Sequence, residues 1–253
     1  GEASAASDRT MPSAAIAYTP SGNYDETTGR MAPGLVAVRV TVSEPLQTVP
    51  FLSIVPSGGV PASVQLTAAG DLAYTGYYTI TESTPTGTAA ALFSGRDLVG
   101  NRGTSVTSGE ALNIDTDGPA VGRITVEPHD PVRNDSASPV TVTATFGLNE
   151  EVKEGTTPLL SYLLSGEGRQ SVPVDPPSLI ATVQGDIQTW QASFTLPADA
   201  GLTGAESLSF AFEALDDLDN TGSSVVCSNI FQVYQGDLPP LDAPTGLKAV
   251  SMT

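Results

Sequence analysis

The sequence has few of the residues from which catalytic and metal centres are usually built. Among 253 residues there is one cysteine, one histidine and one tryptophan, and only 6% of the residues are aromatic. A single cysteine excludes an intrachain disulfide, and it cannot complete a zinc site with one distant histidine. Cys227 follows two valines and is predicted to be a buried thiol that packs as a small apolar side chain.

Nucleophilic catalysis by a serine triad would need His129 as its base. His129 lies in a loop bounded by Pro128 and Pro131, and no Gly-x-Ser-x-Gly turn is near it. The sequence also has no glycine-rich phosphate loop with a lysine. A pair of glycosidase carboxylates stays open, although such pairs usually line clefts rich in aromatic residues. The sequence therefore predicts that the protein is not an enzyme.

Basic residues are scarce, with 10 Lys and Arg against 28 Asp and Glu and a net charge of −18. Because nucleic acids bind to Lys and Arg that neutralise phosphates, a nucleic-acid partner is excluded and an anionic membrane surface is disfavoured. No apolar run is long enough to span a bilayer, so no membrane insertion is expected. The acidity favours either solubility or affinity for Ca²⁺, which prefers oxygen ligands.

Helical periodicity is nearly absent, and apolar residues instead alternate with polar ones. Each alternating segment has one apolar face and one face rich in hydroxyl groups, which is typical of antiparallel strands in a β-sandwich. The apolar positions of the clearest segments are Val36, Val38, Val40 and Val42; Val140, Val142, Ala144 and Phe146; Trp190, Ala192, Phe194 and Leu196; and Leu208, Phe210 and Phe212. The predicted fold class is all-β.

An internal repeat predicts two copies of one fold. Residues 70–80 align with residues 185–196 when Thr189 is treated as an insertion, and Tyr74 then matches Trp190 on the inward face. Three further blocks recur in the same order, namely 16–20 with 124–128, 50–53 with 158–161, and 97–103 with 216–222. We therefore predict two tandem β-sandwiches with Greek-key connections and about seven strands each.

Acidic and proline-rich segments mark the predicted boundaries. The first boundary lies near Asp115–Pro119 and the second near Gly236–Pro240, where a proline pair cannot continue a central strand. The predicted organisation is a linker or disordered start at 1–9, sandwiches at 10–118 and 119–236, and at 237–253 a linker with the first strand of a further, truncated module.

Two short motifs stand near the ends of the predicted copies: a loop at Gly95–Asn101 and again at Ala214–Asn220, and a closing segment at Ile114–Pro119. They resemble bacterial immunoglobulin-like repeats of large surface proteins and adhesins, which often contain an Ala-x-Asp-x-x-Gly-Asn loop and close with Ile-Asp-Thr-x-x-Pro. In this sequence Asp219 replaces the glycine, and the second copy lacks the closing motif. The tail Asp242–Val250 resembles the opening of a fibronectin type III module, which implies that the natural chain continues. The resemblance implies immunoglobulin-like sandwiches and specifies function poorly.

Acidic residues in these loops and linkers are the candidate Ca²⁺ ligands. One candidate set is Asp216, Asp217, Asp219 and Asn220, and the other is Asp97, Asn101, Asp115 and Asp117. By similarity to the acidic linkers of cadherin-like arrays, ions there would stiffen the connection. The alternative is a turn in which the aspartate accepts backbone N–H bonds and the asparagine tolerates a left-handed conformation. No cofactor is required on either interpretation.

The function favoured by the resemblance is structural: an extracellular spacer, stalk or adhesion module of a large bacterial surface protein. The alternative is an accessory carbohydrate- or protein-binding module of a secreted polysaccharide-degrading enzyme. The expected partners are neighbouring modules of the same polypeptide, with a surface protein or a glycan as the external ligand. Trp190 is predicted to be core and Tyr77 to be an isolated outward side chain, so neither forms an aromatic platform for sugars.

Overall fold

The structure, a computed structural model, describes residues 8–180, 183, 185–227 and 230–237. The predicted linker at 1–9 lies outside this part except for its last two residues, and the predicted strand of a further module within 237–253 lies outside it. The chain divides into two compact units. The first comprises the chain up to Gly118 together with Leu215–Thr221, and the second comprises Pro119–Ala214 and the chain from Gly222 onward. Among the described residues there is no helix that could cross a membrane.

The first unit contains two sheets that enclose one core. Its strands are β1 (Ser13–Pro20), β2 (Arg30–Met31), β3 (Gly34–Val42), β4 (Phe51–Pro56), β5 (Ala62–Ser63), β6 (Thr67–Gly70), β7 (Ala73–Ile80), β8 (Gly87–Arg96), β9 (Arg102–Gly103), β10 (Ser105–Ser108) and β11 (Ala111–Ile114). One sheet has the order β10-β1-β3-β7-β6, and the other has the order β2-β11-β8-β4-β5 with β9 paired to β8.

The alternation in β3 sets the core of this unit. Its four valines point inward and are buried, while β1 and β7 pair with it on either side in antiparallel register. Val36 lies opposite Tyr78, and Val40 lies opposite Tyr74. The facing sheet adds Leu52, Ile54 and Phe93 to the same cluster of buried side chains. Each such side chain contributes about 1.5–3 kcal/mol through its removal from water.

The second unit repeats this design. Its strands are β12 (Val121–Glu127), β13 (Val132–Asn134), β14 (Val140–Leu148), β15 (Leu159–Leu164), β16 (Val172–Pro173), β17 (Ser178–Ile180), β18 (Gln188–Leu196), β19 (Glu206–Leu215), β20 (Thr221–Gly222) and β21 (Ile230–Gln235). The sheets have the orders β12-β14-β18-β17 and β13-β21-β19-β15-β16. Phe146 of β14 lies opposite Trp190 of β18, and its ring meets that of Phe212 from the other sheet edge-on at 6.0 Å.

The main strands of the two units follow the same order. The sheet order β1-β3-β7-β6 packed on β11-β8-β4-β5 corresponds to β12-β14-β18-β17 packed on β21-β19-β15-β16. The prediction of an all-β sandwich fold is confirmed. There are more strands than the predicted number, because short segments of two to four residues pair at the sheet margins.

The predicted inward and outward positions are also confirmed at the aromatic residues. Tyr74 and Trp190 are each 6% exposed, whereas Tyr77 is 65% exposed. His129 is exposed beside Glu127, as expected of a loop histidine. The prediction of a buried thiol is wrong, because Cys227 is only half-buried. It lies outside the regular strands and packs against the margin of the second core.

Candidate functional site

Asp97 closes the loop between β8 and β9 as a turn. Its Oδ1 accepts hydrogen bonds from the backbone N–H groups of Val99, Gly100 and Asn101 at 3.0, 2.6 and 2.7 Å. Its Oδ2 accepts one from Nδ2 of Asn101 at 2.7 Å. Gly100 has a φ of 101°, which is a conformation that favours glycine. The motif therefore forms a turn around the buried carboxylate of Asp97, which has four donors.

Asp216 closes an equivalent turn in the second copy of the motif. Its Oδ1 accepts from the backbone N–H groups of Leu218 and Asn220 at 2.9 and 2.7 Å, and its Oδ2 accepts from Nδ2 of Asn220 at 2.8 Å. Asp219 stands where the first copy has glycine and adopts a φ of 67°. Aspartate tolerates this left-handed region better than most residues, so the turn survives the replacement.

The two turn aspartates have opposite pKa shifts, and the carboxylate of Asp97 has four donors where that of Asp216 has three. Burial alone would raise the pKa of Asp97, but the hydrogen bonds from Asn101, Gly100 and Val99 outweigh it and the pKa is lowered. Burial raises the pKa of Asp216, and the nearby charge of Asp115 raises it further against the same kind of donors. Burial of Asp216 thus outweighs its hydrogen bonds, whereas the hydrogen bonds of Asp97 outweigh its burial.

Two carboxylates absent from the sequence-based candidates converge on Asp97. Asp8, Glu44 and Asp97 each place one oxygen within 4.8 Å of the others. Nδ2 of Asn101 also donates to the backbone oxygen of Asp8 at 3.0 Å, which holds this segment beside the turn. Oε1 of Glu44 is shielded from solvent and has no hydrogen-bond partner among the described residues. Burial raises the pKa of Glu44, and the charges of Asp8 and Asp97 add to the shift.

Asp115 and Asp117, the two linker residues among the candidate Ca²⁺ ligands, have different surroundings. Asp115 is buried, and its Oδ2 accepts a hydrogen bond from Nη1 of Arg30 at 2.6 Å. Its backbone oxygen accepts one from Nδ2 of Asn220 at 3.1 Å. Asp117 is exposed, and its backbone N–H donates to Oγ1 of Thr86 at 3.1 Å. Asp115, rather than Asp117, is therefore the linker carboxylate held in a defined place.

The acidic cluster around Asp216 is divided among separate partners. Asp217 accepts a hydrogen bond from Nη2 of Arg30 at 2.6 Å, and Oδ2 of Asp219 accepts one from Nδ2 of Asn23 at 2.9 Å. One oxygen of Asp216 lies within 4.8 Å of one oxygen of Asp115. The structure thus brings Asp216 and Asp115 together and directs Asp217 and Asp219 to other side chains of the first unit.

These groups offer only oxygen atoms to an ion. Oxygen ligands suit a hard cation such as Ca²⁺ and not the zinc or copper that nitrogen and sulfur ligands hold. An aspartate oxygen that already accepts hydrogen bonds keeps some acceptor capacity, because a carboxylate has about four lone-pair positions. In this cluster Oε1 of Glu44 is an oxygen that is shielded from solvent and accepts no hydrogen bond from the described residues.

No protein-family model matches the chain, and no curated protein matches it in sequence. Three solved structures are similar at low identity. A 1.5-MDa bacterial ice-binding adhesin has a TM-score of 0.37 and 15% identity, over 91% of this chain and 66% of that one. A tetra-tandem repeat from the extending region of a large adhesion protein has a TM-score of 0.34 and 15% identity, over 89% and 49%. A DUF4785 family protein of Legionella pneumophila has a TM-score of 0.29 and 13% identity, over 87% and 56%.

The chain therefore spans about half to two thirds of the length of these solved structures. TM-scores in this range establish neither a shared function nor a shared ligand.

Proposed function

We propose that this chain is a non-catalytic spacer of an extracellular bacterial surface protein, in which two sandwiches transmit tension along the polypeptide. The observation that supports this proposal is the pairing of early and late strands. In the first unit β1 pairs with β10 and β2 with β11, and in the second unit β13 pairs with β21, all in parallel.

Parallel pairing of an early strand with a late one determines how a stretched unit would yield. Tension on the two ends pulls the paired strands along their length in opposite directions, so their hydrogen bonds bear the load together. An antiparallel hairpin pulled from its open end instead loses its bonds one at a time. In the second unit the loaded pair joins Val132, Arg133 and Asn134 to Val233, Tyr234 and Gln235. This geometry suits a domain that bears tension while it holds another module at a distance.

Proline at Tyr234 tests the proposal. Proline has no backbone N–H and removes a ladder hydrogen bond inside a sheet, so Tyr234→Pro is expected to weaken the β13–β21 pair. Single-molecule pulling on the two ends should show two unfolding events in the wild type. The variant should lower the rupture force of one event and leave the other unchanged.

The matched control is Ser178→Pro in the edge strand β17, which lies outside the parallel pair. Edge strands tolerate proline, so this variant should retain both rupture forces. Equal rupture forces in the wild type and Tyr234→Pro would show that the parallel pair bears no load, and the spacer proposal would lose its support.

We also propose that Ca²⁺ binds at the three carboxylates of Asp8, Glu44 and Asp97. The unpaired oxygen of Glu44 and the mutual repulsion of three nearby carboxylates support the proposal, because a divalent cation would relieve both. Bound ligand stabilises the folded state, so Ca²⁺ should raise the melting temperature by several degrees and a chelator should reverse the rise.

The variant Glu44→Gln removes the charge with little change of shape and should abolish the Ca²⁺-dependent rise. The control is Glu26→Gln, an exposed residue outside the cluster, which should leave the rise intact. An identical melting temperature with Ca²⁺ and with chelator would refute this site.

A further inference from the structure

A recess opens on the first unit at the turn that follows β4. Its volume is about 440 Å³, and it is lined by Pro56, Gly59, Val60, Ala62, Tyr78 and Thr81, among others. The hydroxyl groups of Ser83 and Thr84 stand at its margin. None of its lining residues carries a charge, in a chain whose net charge is −18. The recess thus combines apolar walls with hydroxyl groups.

The second unit has a recess at the equivalent place, with a volume of about 310 Å³. Leu164 corresponds to Pro56 as the last residue of its strand, and Pro197 corresponds to Thr81 as the residue after the next long strand of the other sheet. Val172 corresponds to Ala62, since the two lie opposite equivalent residues of β15 and β4. The recess is therefore a feature of the repeated fold, and both volumes fall in the range of small-ligand sites.

Each recess contains one tyrosine without an intramolecular partner. Tyr78 is 6% exposed and Tyr162 is 8% exposed, and among the described residues neither hydroxyl makes a hydrogen bond. Both side chains are largely buried, but neither hydroxyl oxygen belongs to the fully buried polar atoms that lack a partner. Each hydroxyl is therefore accessible to solvent and available as a donor.

The two hydroxyls come from opposite sheets. Tyr78 lies on β7, and its equivalent in the second unit is Phe194; Tyr162 lies on β15, and its equivalent in the first unit is Ile54. In the second unit Tyr162 stacks on Phe194 with ring centroids 4.1 Å apart. Each recess thus holds one phenol, although the strand that supplies it differs between the two units.

The second recess is also without net charge. Arg169 lines it, but its guanidinium pairs with the carboxylate of Glu206 at 2.8 Å. Its other walls include Leu164, Val172 and Pro197. A ligand that suits both recesses is therefore neutral, has an apolar face for the proline and aliphatic side chains, and offers an oxygen atom to a phenol.

We propose that the recess of each unit binds one neutral sugar residue of a glycan. The tyrosine hydroxyl donates a hydrogen bond to a sugar oxygen, and the apolar walls cover the C–H face of the ring. This activity goes beyond the spacer function and does not depend on it, since a chain without load-bearing strands would keep both recesses.

Saturation-transfer difference NMR tests the proposal with D-glucose, D-galactose and N-acetyl-D-glucosamine at millimolar concentration. The whole chain is compared with Tyr78→Phe, Tyr162→Phe and the double variant. We expect a transfer signal from at least one of these sugars, a weaker signal in each single variant, and a loss of at least fivefold in the double variant. The control Tyr77→Phe changes an outward-facing tyrosine of the same strand as Tyr78 and should keep the full signal.

Melting temperatures of the variants show whether a weaker signal comes from loss of the hydroxyl or from loss of the folded state. Because neither hydroxyl has a protein partner, the phenylalanine variants should melt at the temperature of the wild type. No signal from any of the three sugars, or an undiminished signal in the double variant, would overturn the proposal. A stronger signal from glucuronate than from the neutral sugars would overturn it as well, because the recesses would then select charge.

Discussion

Replacement of Phe146 by alanine is expected to destabilise the second unit by about 3–5 kcal/mol. Phe146 is 0% exposed, lies opposite Trp190 across β14 and β18, and meets the ring of Phe212 from the facing sheet. Loss of the ring would leave a cavity between two sheets whose backbones are fixed by ladders on both sides. Because such a site collapses poorly, the cost includes lost contacts as well as lost burial.

Urea unfolding followed by tryptophan fluorescence measures this effect, since Trp190 is the only tryptophan and belongs to the second unit. The control is Leu159→Ala, which truncates a leucine that is 64% exposed on β15 of the same unit. It should change the free energy of unfolding of the second unit by roughly 0.5 kcal/mol or less, as surface substitutions usually do. Similar small effects from both substitutions would contradict the assignment of Phe146 to the core.

Removal of the Asp216 carboxylate is expected to cost about 2–4 kcal/mol, because three donors lose their acceptor in a buried turn. Asp216→Ala leaves the backbone N–H groups of Leu218 and Asn220 and the amide of Asn220 without a partner. Water cannot replace the carboxylate freely, since Asp216 and Asn220 are both buried. Thermal unfolding of the purified variant would show the loss as a lower melting temperature.

Asp217→Ala is the matched control in the same loop. Asp217 makes a solvent-exposed ion pair with Arg30, and such pairs contribute about 0–1 kcal/mol. The two neighbouring aspartates should therefore differ markedly in their effect on stability. Equal losses would show that the loop is held by surface charge and not by the turn.

The sandwich fold could be predicted because its signals are local. The alternation of apolar and polar residues along β3, β14 and β18 can be recognised from adjacent positions alone. The repeat places Tyr74 and Trp190 in equivalent strands. The turns around Asp97 and Asp216 were predictable for the same reason, since donors and acceptor lie within four positions of one another. These short-range patterns correctly indicated which side chains are buried.

Long-range polar contacts were not predictable from one sequence. Asp8 and Glu44 are far from Asp97 along the chain, and they are brought beside it by the bridge between Leu46 and Asp97 and by the hydrogen bond from Asn101 to Asp8. Neighbours in sequence were equally misleading, because Asp217 and Asp219 turn toward Arg30 and Asn23. A run of acidic residues therefore identified a loop but not the arrangement of its carboxylates.

Gly147 in β14 meets another long-range requirement that could not be predicted from the sequence. A Cβ atom on Gly147 would lie 2.0 Å from Cγ of Asp186, whose carboxylate pairs with Arg123 at 2.5 Å. The absence of a side chain at Gly147 thus makes room for an ion pair that joins distant parts of the second unit. No periodic pattern in the sequence predicts this requirement, because a glycine in a strand can equally mark a bulge, a bend or a close backbone approach.

Residue-resolved hydroxyl-radical footprinting of the intact chain tests whether both halves of the polypeptide bury matching side chains between paired sheets. We expect rapid modification of Tyr77 and strong protection of Tyr74 and Trp190, in line with their exposures of 65%, 6% and 6%. Modification of Tyr74 or Trp190 at the rate of Tyr77 would contradict this arrangement, because one of the two cores would then be open to solvent.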